Sequence, residues 1–182
     1  EPDHLDETLV CWDSREPGRW DLADKELAQL IAEVAEKGAH IAVILDCCHS
    51  GSGTRNADVS DEEVRVRRVP TDQRLRPIET FLVTAAQATA LSGGTRSLEG
   101  GGWYTLPRGR HVVLAACSPA EEAKELILGG EQRGAFSYFL LDTLQRAGQT
   151  LTYRDLFKRV NALVRARVSA QSPQLEATET PD

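Results

Sequence analysis

The chain has 182 residues, a length that allows one domain with a substantial hydrophobic core. Its formal net charge is -7, which argues against a nucleic-acid or anionic-membrane partner because both favour clustered lysine and arginine. No uninterrupted apolar run reaches the length that a bilayer-spanning helix needs. The composition is therefore that of an ordinary globular domain with neither kind of partner.

Four cysteines are present, and their spacing argues against a disulfide-stapled domain. Cys47 and Cys48 are adjacent, and neighbouring residues lie too close together for an unstrained disulfide. Cys11 and Cys117 complete the set, and no pair has the C-x-x-C spacing. A reducing compartment is favoured, and we expect a cytoplasmic protein.

The first half of the chain predicts a strand, a helix and a second strand. The short strand ETLVCW precedes a helix that Asp21 or Asp24 caps and that Gly38 ends. HIAVIL is a continuous apolar run, the pattern of a central strand that is buried on both faces of a parallel sheet. Residues 52–78 are polar and charged without periodicity, so they predict a long mobile loop.

The second half predicts two strands and three helices. HVVLAAC has the pattern of a buried strand, and SPQLEAT predicts a short last strand. Ser118 to Glu121 reads as a capping box with proline at the first helical position, which predicts a helix there. A further helix covers residues 135–147 and ends at Gly148, and a capping box from Thr152 to Asp155 opens the last helix.

This order of elements predicts an α/β domain with a mostly parallel sheet flanked by helices. In such sheets the active groups lie beyond the carboxyl ends of the strands. Asp46, Cys47, Cys48 and His49 follow the HIAVIL strand, and Cys117 ends the HVVLAAC strand. We therefore expect these five residues to share one edge of the sheet.

A structural role and three chemical roles compete for the adjacent cysteines. Free cysteine most often acts as a small buried hydrophobe. A metal site needs separated ligands, and two adjacent cysteines with one adjacent histidine wrap a tetrahedral ion poorly. A cysteine phosphatase loop has five residues between its cysteine and its arginine, whereas six separate Cys48 from Arg55. The last role is a cysteine peptidase nucleophile whose general base lies elsewhere.

The hexapeptide D-C-C-H-S-G at residues 46–51 resembles the nucleophile motif of the metacaspase and bacterial caspase-like branch of the caspase-fold peptidases, family C14. The resemblance continues in DETLVCWDS, HVVLAACSPAEEAKE, GAFSYFLLDTL and SPQLEAT, so it covers most of the chain except residues 56–110. It implies that residues 1–182 are the carboxyl-terminal portion of one caspase-like peptidase domain that uses no cofactor. It also implies that Cys48 is the nucleophile, with Cys47 as a supporting neighbour.

The resemblance implies as well that the general base is supplied from outside this chain. The family's catalytic histidine lies in an S-G-H-G motif upstream of the region that matches DETLV, and the chain starts between the two. His4 and His40 precede strands, and His111 starts a strand at the wrong end of the sheet. His49 is too close to Cys48 in sequence to serve easily as a base. We therefore expect the amino-terminal strands and the catalytic histidine to come from an upstream fragment of the same precursor, which would be this chain's partner.

Asp46 is the candidate substrate-binding residue. It lies two residues before Cys48, so both side chains project to the same side of an extended strand. In metacaspase-like enzymes an acidic residue at this position lines the primary specificity pocket, which implies a protein or peptide substrate with arginine or lysine before the cut bond. The alternative is that Asp46 only caps nearby backbone N–H groups.

Calcium is not expected to be required. Many metacaspases share a calcium site of clustered carboxylates. By ungapped spacing from Cys48, two of those acidic positions fall on Lys25 and Arg55, whereas Asp24 matches a third. Two cations in place of two carboxylates oppose a site for a hard cation, so no metal site is expected.

Residues 52–78 resemble a processing segment, since proteolysis concentrates in exposed loops. Six arginines lie there: Arg55, Arg65, Arg67, Arg68, Arg74 and Arg76. The sequence also leaves open a different class of function, in which the chain is a catalytically inactive caspase-fold interaction module. Labelling of Cys48 by an active-site-directed electrophile distinguishes the two.

Overall fold

The computed structural model describes residues 8–48, 64–67, 69–84, 111–147 and 151–177. The chain forms two compact units, one made of Glu1–Ile41 with Val69–Gly109 and the other of Ala42–Arg68 with Arg110–Asp182. The helix end predicted at Gly148 and residues 52–63 of the predicted loop lie outside the described residues. None of the described helices is long and apolar enough to cross a membrane.

In its described residues the first unit contains a two-stranded sheet, one α-helix and a short 3₁₀ helix at Ile78–Thr80. Strand β1, Thr8–Leu9, pairs antiparallel with β2, Leu22–Ala23, and helix α1 follows directly over Asp24–Ala35. The prediction of an aspartate cap is wrong. Ala23 is the capping residue, and its backbone N–H donates to the Glu26 carboxylate at 2.9 Å. A carboxylate in the first turn satisfies the same free N–H groups without a polar side chain at the cap.

Glu26 fastens the segment that follows Val69 to α1. Its carboxylate accepts hydrogen bonds from Nη1 and Nη2 of Arg76, each at 2.8 Å, and from the backbone N–H of Leu82 at 2.7 Å. Burial alone would raise the pKa of Glu26, but the hydrogen bonds from Arg76, Leu82 and Ala23 outweigh it and lower that pKa. Residues 69–77 form no helix or strand, as the sequence predicts for a loop, and the ion pair of Arg76 with Glu26 joins this segment to α1.

The second unit contains a three-stranded sheet in the order β3, Ile41–Leu45; β5, His111–Ala115; and β8, Gln174–Ala177. Strand β5 is buried throughout and is the central strand. The Ala116 N–H donates to the Leu45 carbonyl at 2.8 Å, so the carboxyl ends of β3 and β5 lie side by side and the two strands run parallel. Strand β8 pairs antiparallel with β5.

In this chain the HIAVIL strand is not buried on both faces. Along β3 the residues alternate, and Ile44 is 50% exposed while Leu45 is buried. Among the described residues β3 is bonded to a strand on one side only, which leaves it at the edge of the sheet. An apolar run of five residues does not by itself distinguish an edge strand from a central one.

A second three-stranded sheet has the order β4, Arg65–Val66; β6, Lys124–Leu128; and β7, Glu131–Gly134. Both pairings are antiparallel. Gly129 and Gly130, with φ of 64° and 85°, form the two-residue turn between β6 and β7, which needs positive φ at both positions. Among the described residues, one sheet is therefore mixed and the other two are antiparallel, which corrects the expectation of a mostly parallel sheet. A connection as short as the β6–β7 turn can join only antiparallel strands.

The helix predicted at Ser118 to Glu121 is absent from the structure, and a turn leads into β6 instead. The Glu121 carboxylate does accept the Ser118 N–H at 3.2 Å, as in a capping box. It also accepts the backbone N–H and the hydroxyl of Ser172 at 2.8 and 2.9 Å. These bonds join two distant segments, and the pairing of β6 then overrides the local helical pattern.

The two remaining helices agree with the sequence prediction. Helix α2 spans Ala135–Ala147 and α3 spans Tyr153–Arg167, and the Thr152 side chain accepts the Asp155 N–H at 3.1 Å as the cap of α3. Both helices pack against β5 around one core. That core contains Leu114, Phe136, Leu140, Leu156, Val160 and Val164. The fold is thus mixed α/β with helices flanking the sheets, which confirms the predicted class.

Candidate active site

Cys48 lies three residues beyond the carboxyl end of β3 and is half-buried against the core that includes Phe136. Its sulfur accepts the backbone N–H of Ala123 at 3.1 Å, and the thiol lies 3.5 Å from the Ala123 carbonyl oxygen. Its own backbone N–H donates to the carbonyl oxygen of Arg67 at 3.2 Å. The turn before β6 and the segment around β4 therefore meet at this cysteine.

Burial raises the pKa of the Cys48 thiol above its ordinary value. The nearby Glu122 carboxylate adds to this rise, whereas the Ala123 N–H and the Lys124 ammonium oppose it. Among the described residues, no histidine contributes to the shift. The thiol in this arrangement is therefore protonated at neutral pH and needs a base before it can act as a nucleophile.

The three cysteines that the sequence places at one edge do meet there. Cys117 is fully buried, and its thiol lies 3.7 Å from the Cys47 carbonyl oxygen and 3.6 Å from that of Glu121. The contact follows from the parallel pairing of β3 and β5, which brings their carboxyl ends together. Cys117 is a buried packing residue, whereas Cys48 is half-buried and its sulfur accepts a backbone N–H, that of Ala123.

The Asp46 side chain is 7% exposed and points at the first turn of α2. Its Oδ2 atom accepts the backbone N–H of Ser137 at 3.0 Å, and Oδ1 has no hydrogen-bond partner among the described residues. The capping interaction that the sequence offered as an alternative is thus present. The same Oδ2 atom lies 3.9 Å from Nη1 of Arg67, so this carboxylate contacts a cation in addition to capping the helix.

Glu125, on β6, completes an acidic pocket with Asp46. Its Oε1 atom lies 3.0 Å from Nη1 of Arg67. A Cβ atom at Gly134 would overlap both the Asp46 carboxylate and the Arg67 guanidinium, so the absence of a side chain there makes room for the guanidinium. Sequence reasoning missed Glu125 and Gly134, because only the β4–β6 and β6–β7 pairings bring them beside Asp46.

Gln171 was also missed, and it fixes the backbone that surrounds Cys48. It is fully buried; its amide nitrogen donates to the Ala116 carbonyl at 3.0 Å, and its amide oxygen accepts the Lys124 N–H at 3.0 Å. The side chain thereby links the end of β5 to the start of β6, next to the Ala123 peptide that binds the thiol. No local pattern marks this glutamine, since both partners are about fifty residues away in sequence.

The described histidines do not supply a base. His111 is buried at the amino end of β5, four residues before the carboxyl end, or ~13 Å along the strand. His40 is exposed and precedes the amino end of β3. His4 and His49 lie outside the described residues. Likewise, the described ranges contain no group of three or more histidine, cysteine or acidic side chains placed to hold a metal ion.

Sheets flanked by helices, with a half-buried cysteine just past the carboxyl end of a strand, define a caspase-like fold. The family model described as the caspase domain of peptidase family C14 matches residues 3–182, and the chain belongs to that family of cysteine peptidases. The crystal structure of a Geobacter sulfurreducens protein is similar over 100% of this chain, with a TM-score of 0.59 and 22% identity. The chain spans 60% of that protein's length. No curated protein matches.

Proposed function

We propose that the chain carries the nucleophile of a metacaspase-like endopeptidase that cleaves peptide bonds after arginine or lysine. The observation that carries the proposal is the Arg67 guanidinium, which lies 3.0 Å from Glu125 and 3.9 Å from Asp46 beside Cys48. It stands in for the side chain of a substrate residue. Two carboxylates in a partly buried pocket favour a cationic guest and repel an anionic one.

Cys48 is the nucleophile in the proposed reaction. Its thiolate attacks the substrate carbonyl carbon, and the backbone N–H of Cys48 stabilises the oxyanion that forms. An imidazole takes the thiol proton and delivers it to the leaving amine, and water then hydrolyses the thioester. The 3.2 Å hydrogen bond from this N–H to a carbonyl oxygen supports its role as an oxyanion donor.

The imidazole belongs to an upstream segment that acts together with this chain. Two observations support that part of the proposal: the described histidines lie away from Cys48, and β3 is an edge strand among the described residues. An edge strand offers unpaired backbone groups to a further strand. A segment that pairs there would end close to Cys48, since both follow the same edge of the sheet.

A catalytically silent interaction module is the second candidate. The raised pKa of Cys48 favours it, because a protonated thiol without a base is a poor nucleophile. The two candidates differ in what the complete gene product does with a peptide electrophile that carries arginine next to its reactive group. The peptidase is modified at Cys48, whereas the silent module is not.

The experiment uses the complete gene product and its Cys48→Ala variant. Intact-mass spectrometry should show one equivalent of the arginine electrophile on the native protein and none on the variant. Fluorogenic peptides with arginine, lysine or aspartate before the cut bond should be hydrolysed in that order, with aspartate inert. If the native protein is not labelled, the chain is the interaction module. If the peptidase prefers aspartate before the cut bond, the assignment of Asp46 and Glu125 to the specificity pocket is wrong.

A further inference from the structure

Gln171 is a fully buried side chain whose planar amide joins two strands beside Cys48. Its amide nitrogen donates to the Ala116 carbonyl at 3.0 Å, and its amide oxygen accepts the Lys124 N–H at 3.0 Å. Because both ends of one rigid group are bonded, the amide cannot turn without losing a buried hydrogen bond. Gln171 thus fixes the spacing between the end of β5 and the start of β6.

The Ala116 end of this cross-link belongs to the sheet edge that carries Cys48. The Ala116 N–H donates to the Leu45 carbonyl at 2.8 Å, and Leu45 ends β3, three residues before Cys48. The position of Ala116 is therefore tied to the strand that presents the thiol. Through Gln171, the first peptide of β6 is held at a fixed place relative to the same strand.

The backbone around Gln171 is anchored independently of that amide. The Gln171 N–H donates to the Val168 carbonyl at 3.2 Å, and the Glu121 carboxylate accepts the N–H and the hydroxyl of Ser172 at 2.8 and 2.9 Å. Burial alone would raise the pKa of Glu121, but the hydrogen bonds from Ser172 and Ser118 outweigh it and lower that pKa. A side chain with a backbone held in this way orients its partners.

The peptide group between Ala123 and Lys124 has partners on opposite sides. Its N–H donates to the Gln171 side chain, and its carbonyl oxygen accepts the Arg67 N–H at 3.0 Å. This peptide is trans and therefore planar, so its N–H and its carbonyl point in opposite directions and turn together. The bond to Gln171 on one side consequently aims the Ala123 carbonyl on the other.

The Ala123 carbonyl is placed to bind the backbone of a substrate. In the proposed function Arg67 stands in for the substrate residue before the cut bond, and the Ala123 carbonyl accepts its N–H. A hydrogen bond from an extended peptide to a strand edge is a general mode of peptide binding. Since the Ala123 N–H also donates to the Cys48 sulfur, one residue relates the substrate backbone to the nucleophile. Small errors in such an alignment slow a reaction strongly.

From this geometry we propose that Gln171 is a positioning residue, which aims the Ala123 carbonyl at the backbone N–H of the substrate residue in the acidic pocket. The inference rests on the proposed peptidase function. Gln171 acts through the Ala123–Lys124 peptide, to which it is bonded. Loss of its amide frees that peptide to turn, and the turn weakens one identified hydrogen bond to the substrate.

The test uses two substrates that differ at one position. Both are fluorogenic peptides with arginine before the cut bond; in the second, an ester oxygen replaces the arginine N–H, and the cut bond itself is unchanged. The complete gene product should hydrolyse the first with a kcat/KM at least about tenfold higher, because the ester cannot donate to the Ala123 carbonyl and sets an oxygen against it. The ratio of the two kcat/KM values, the amide-to-ester ratio, reports on this hydrogen bond.

The amide-to-ester ratio should fall at least about threefold in Gln171→Met, which fills the space of the glutamine without its two hydrogen bonds. Gln171→Asn should also lower the ratio, since a side chain one methylene shorter cannot span both partners. Gln174→Met is the matched control and should keep the native ratio, because the Gln174 side chain bonds to the nearby Ser172 carbonyl. Circular dichroism checks that each variant is folded, and if Gln171→Met is unfolded, the ratio for Gln171→Asn decides.

Three results would contradict the inference. A purely structural role of Gln171 lowers kcat/KM for both substrates by the same factor, and an unchanged ratio therefore overturns the positioning role. A native protein that hydrolyses both substrates equally well overturns it too, but leaves the proposed function standing, since Cys48 and the acidic pocket still act. A native protein that hydrolyses neither substrate and binds no arginine electrophile overturns both proposals.

Discussion

The backbone N–H of Cys48 donates to the carbonyl oxygen of Arg67 at 3.2 Å, while the Arg67 guanidinium lies between Asp46 and Glu125. Arg67 thus contacts both the Cys48 N–H, which lies beside the thiol, and the two carboxylates of the acidic pocket. The relationship links two features that the sequence presents separately, a cysteine after a strand and an arginine-rich segment.

Asp46→Asn should lower kcat/KM for arginine peptides at least about tenfold, which corresponds to 1.4 kcal/mol of transition-state binding. The amide keeps an acceptor for the Ser137 N–H but removes the charge that faces the guanidinium. Steady-state kinetics on the complete gene product measure the loss. Alkylation of Cys48 by a small neutral electrophile should stay near the native rate. A parallel loss of alkylation would indicate that the α2 cap, and not the pocket, was damaged.

The reactivity of Cys48 should rise steeply above neutral pH when no base is engaged. Because burial raises its pKa, the thiolate fraction increases only as pH passes beyond the range of an ordinary cysteine, near ~8.5. Iodoacetamide labelling followed by peptide mass spectrometry gives the profile for Cys48 in this chain. The urea-unfolded chain is the control and should titrate at lower pH. A folded midpoint at or below the unfolded one would contradict the burial argument.

Peptidase activity should survive chelation. Asp24 has Lys25 beside it, with the ammonium 3.4 Å from the carboxylate, and this cation opposes a second one. Hydrolysis of an arginine peptide by the complete gene product should be unchanged after dialysis against EDTA or EGTA. Activity that disappears on chelation and returns with calcium would refute the prediction. Circular dichroism with and without the chelator separates loss of a site from loss of the fold.

Gln171→Leu should destabilise the second unit by about 1–3 kcal/mol. The change leaves the Lys124 N–H and the Ala116 carbonyl buried without the amide that now bonds both. Urea denaturation followed by circular dichroism gives the free energy of unfolding. Gln174→Leu is the matched control, because among the described residues the Gln174 side chain bonds to the nearby Ser172 carbonyl and to no distant segment. If both substitutions lower the free energy of unfolding equally, the two buried hydrogen bonds of Gln171 do not stabilise this unit more than a local bond does.

Arg76→Ala should destabilise the first unit by about 3–5 kcal/mol, because it leaves the buried Glu26 carboxylate without its cation. The pair is well shielded, since the Glu26 and Arg76 side chains are 1% and 15% exposed. Thermal or urea unfolding of the complete gene product measures the change. Arg76→Lys should recover only part of the loss, because a lysine lacks the two-pronged geometry that Glu26 now accepts.

The same pair predicts a pH dependence. The folded-state pKa of Glu26 is lowered below 4.5, so its ionised form stabilises the fold fully above that value. The contribution is lost as pH falls through the lowered pKa. Unfolding free energies measured between pH 6 and pH 3 should therefore decline less steeply for Glu26→Gln than for the native chain. If the unfolding free energy falls equally steeply with pH in both proteins, Glu26 does not contribute to the acid sensitivity of the fold.

Sequence alone determined the elements whose signals are local. Helices α2 and α3 and strands β5 and β8 lie where periodicity and a capping threonine place them. The D-C-C-H-S-G motif indicated the family that the comparison with known proteins shows. These features depend on side chains within one or two turns of each other, which a short window of sequence contains.

Tertiary structure alone decided which distant groups meet at Cys48. Strand pairing brings Ala123 and Glu125 to this edge from some seventy-five residues away, and it selects Arg67 from among the arginines of its segment. Glu121, which the sequence predicts to cap a helix, instead accepts the Ser172 N–H, because tertiary packing brings that distant residue beside it. Backbone groups of any residue type form such ladders, so their register depends on the packed sheet and leaves no local pattern in the sequence.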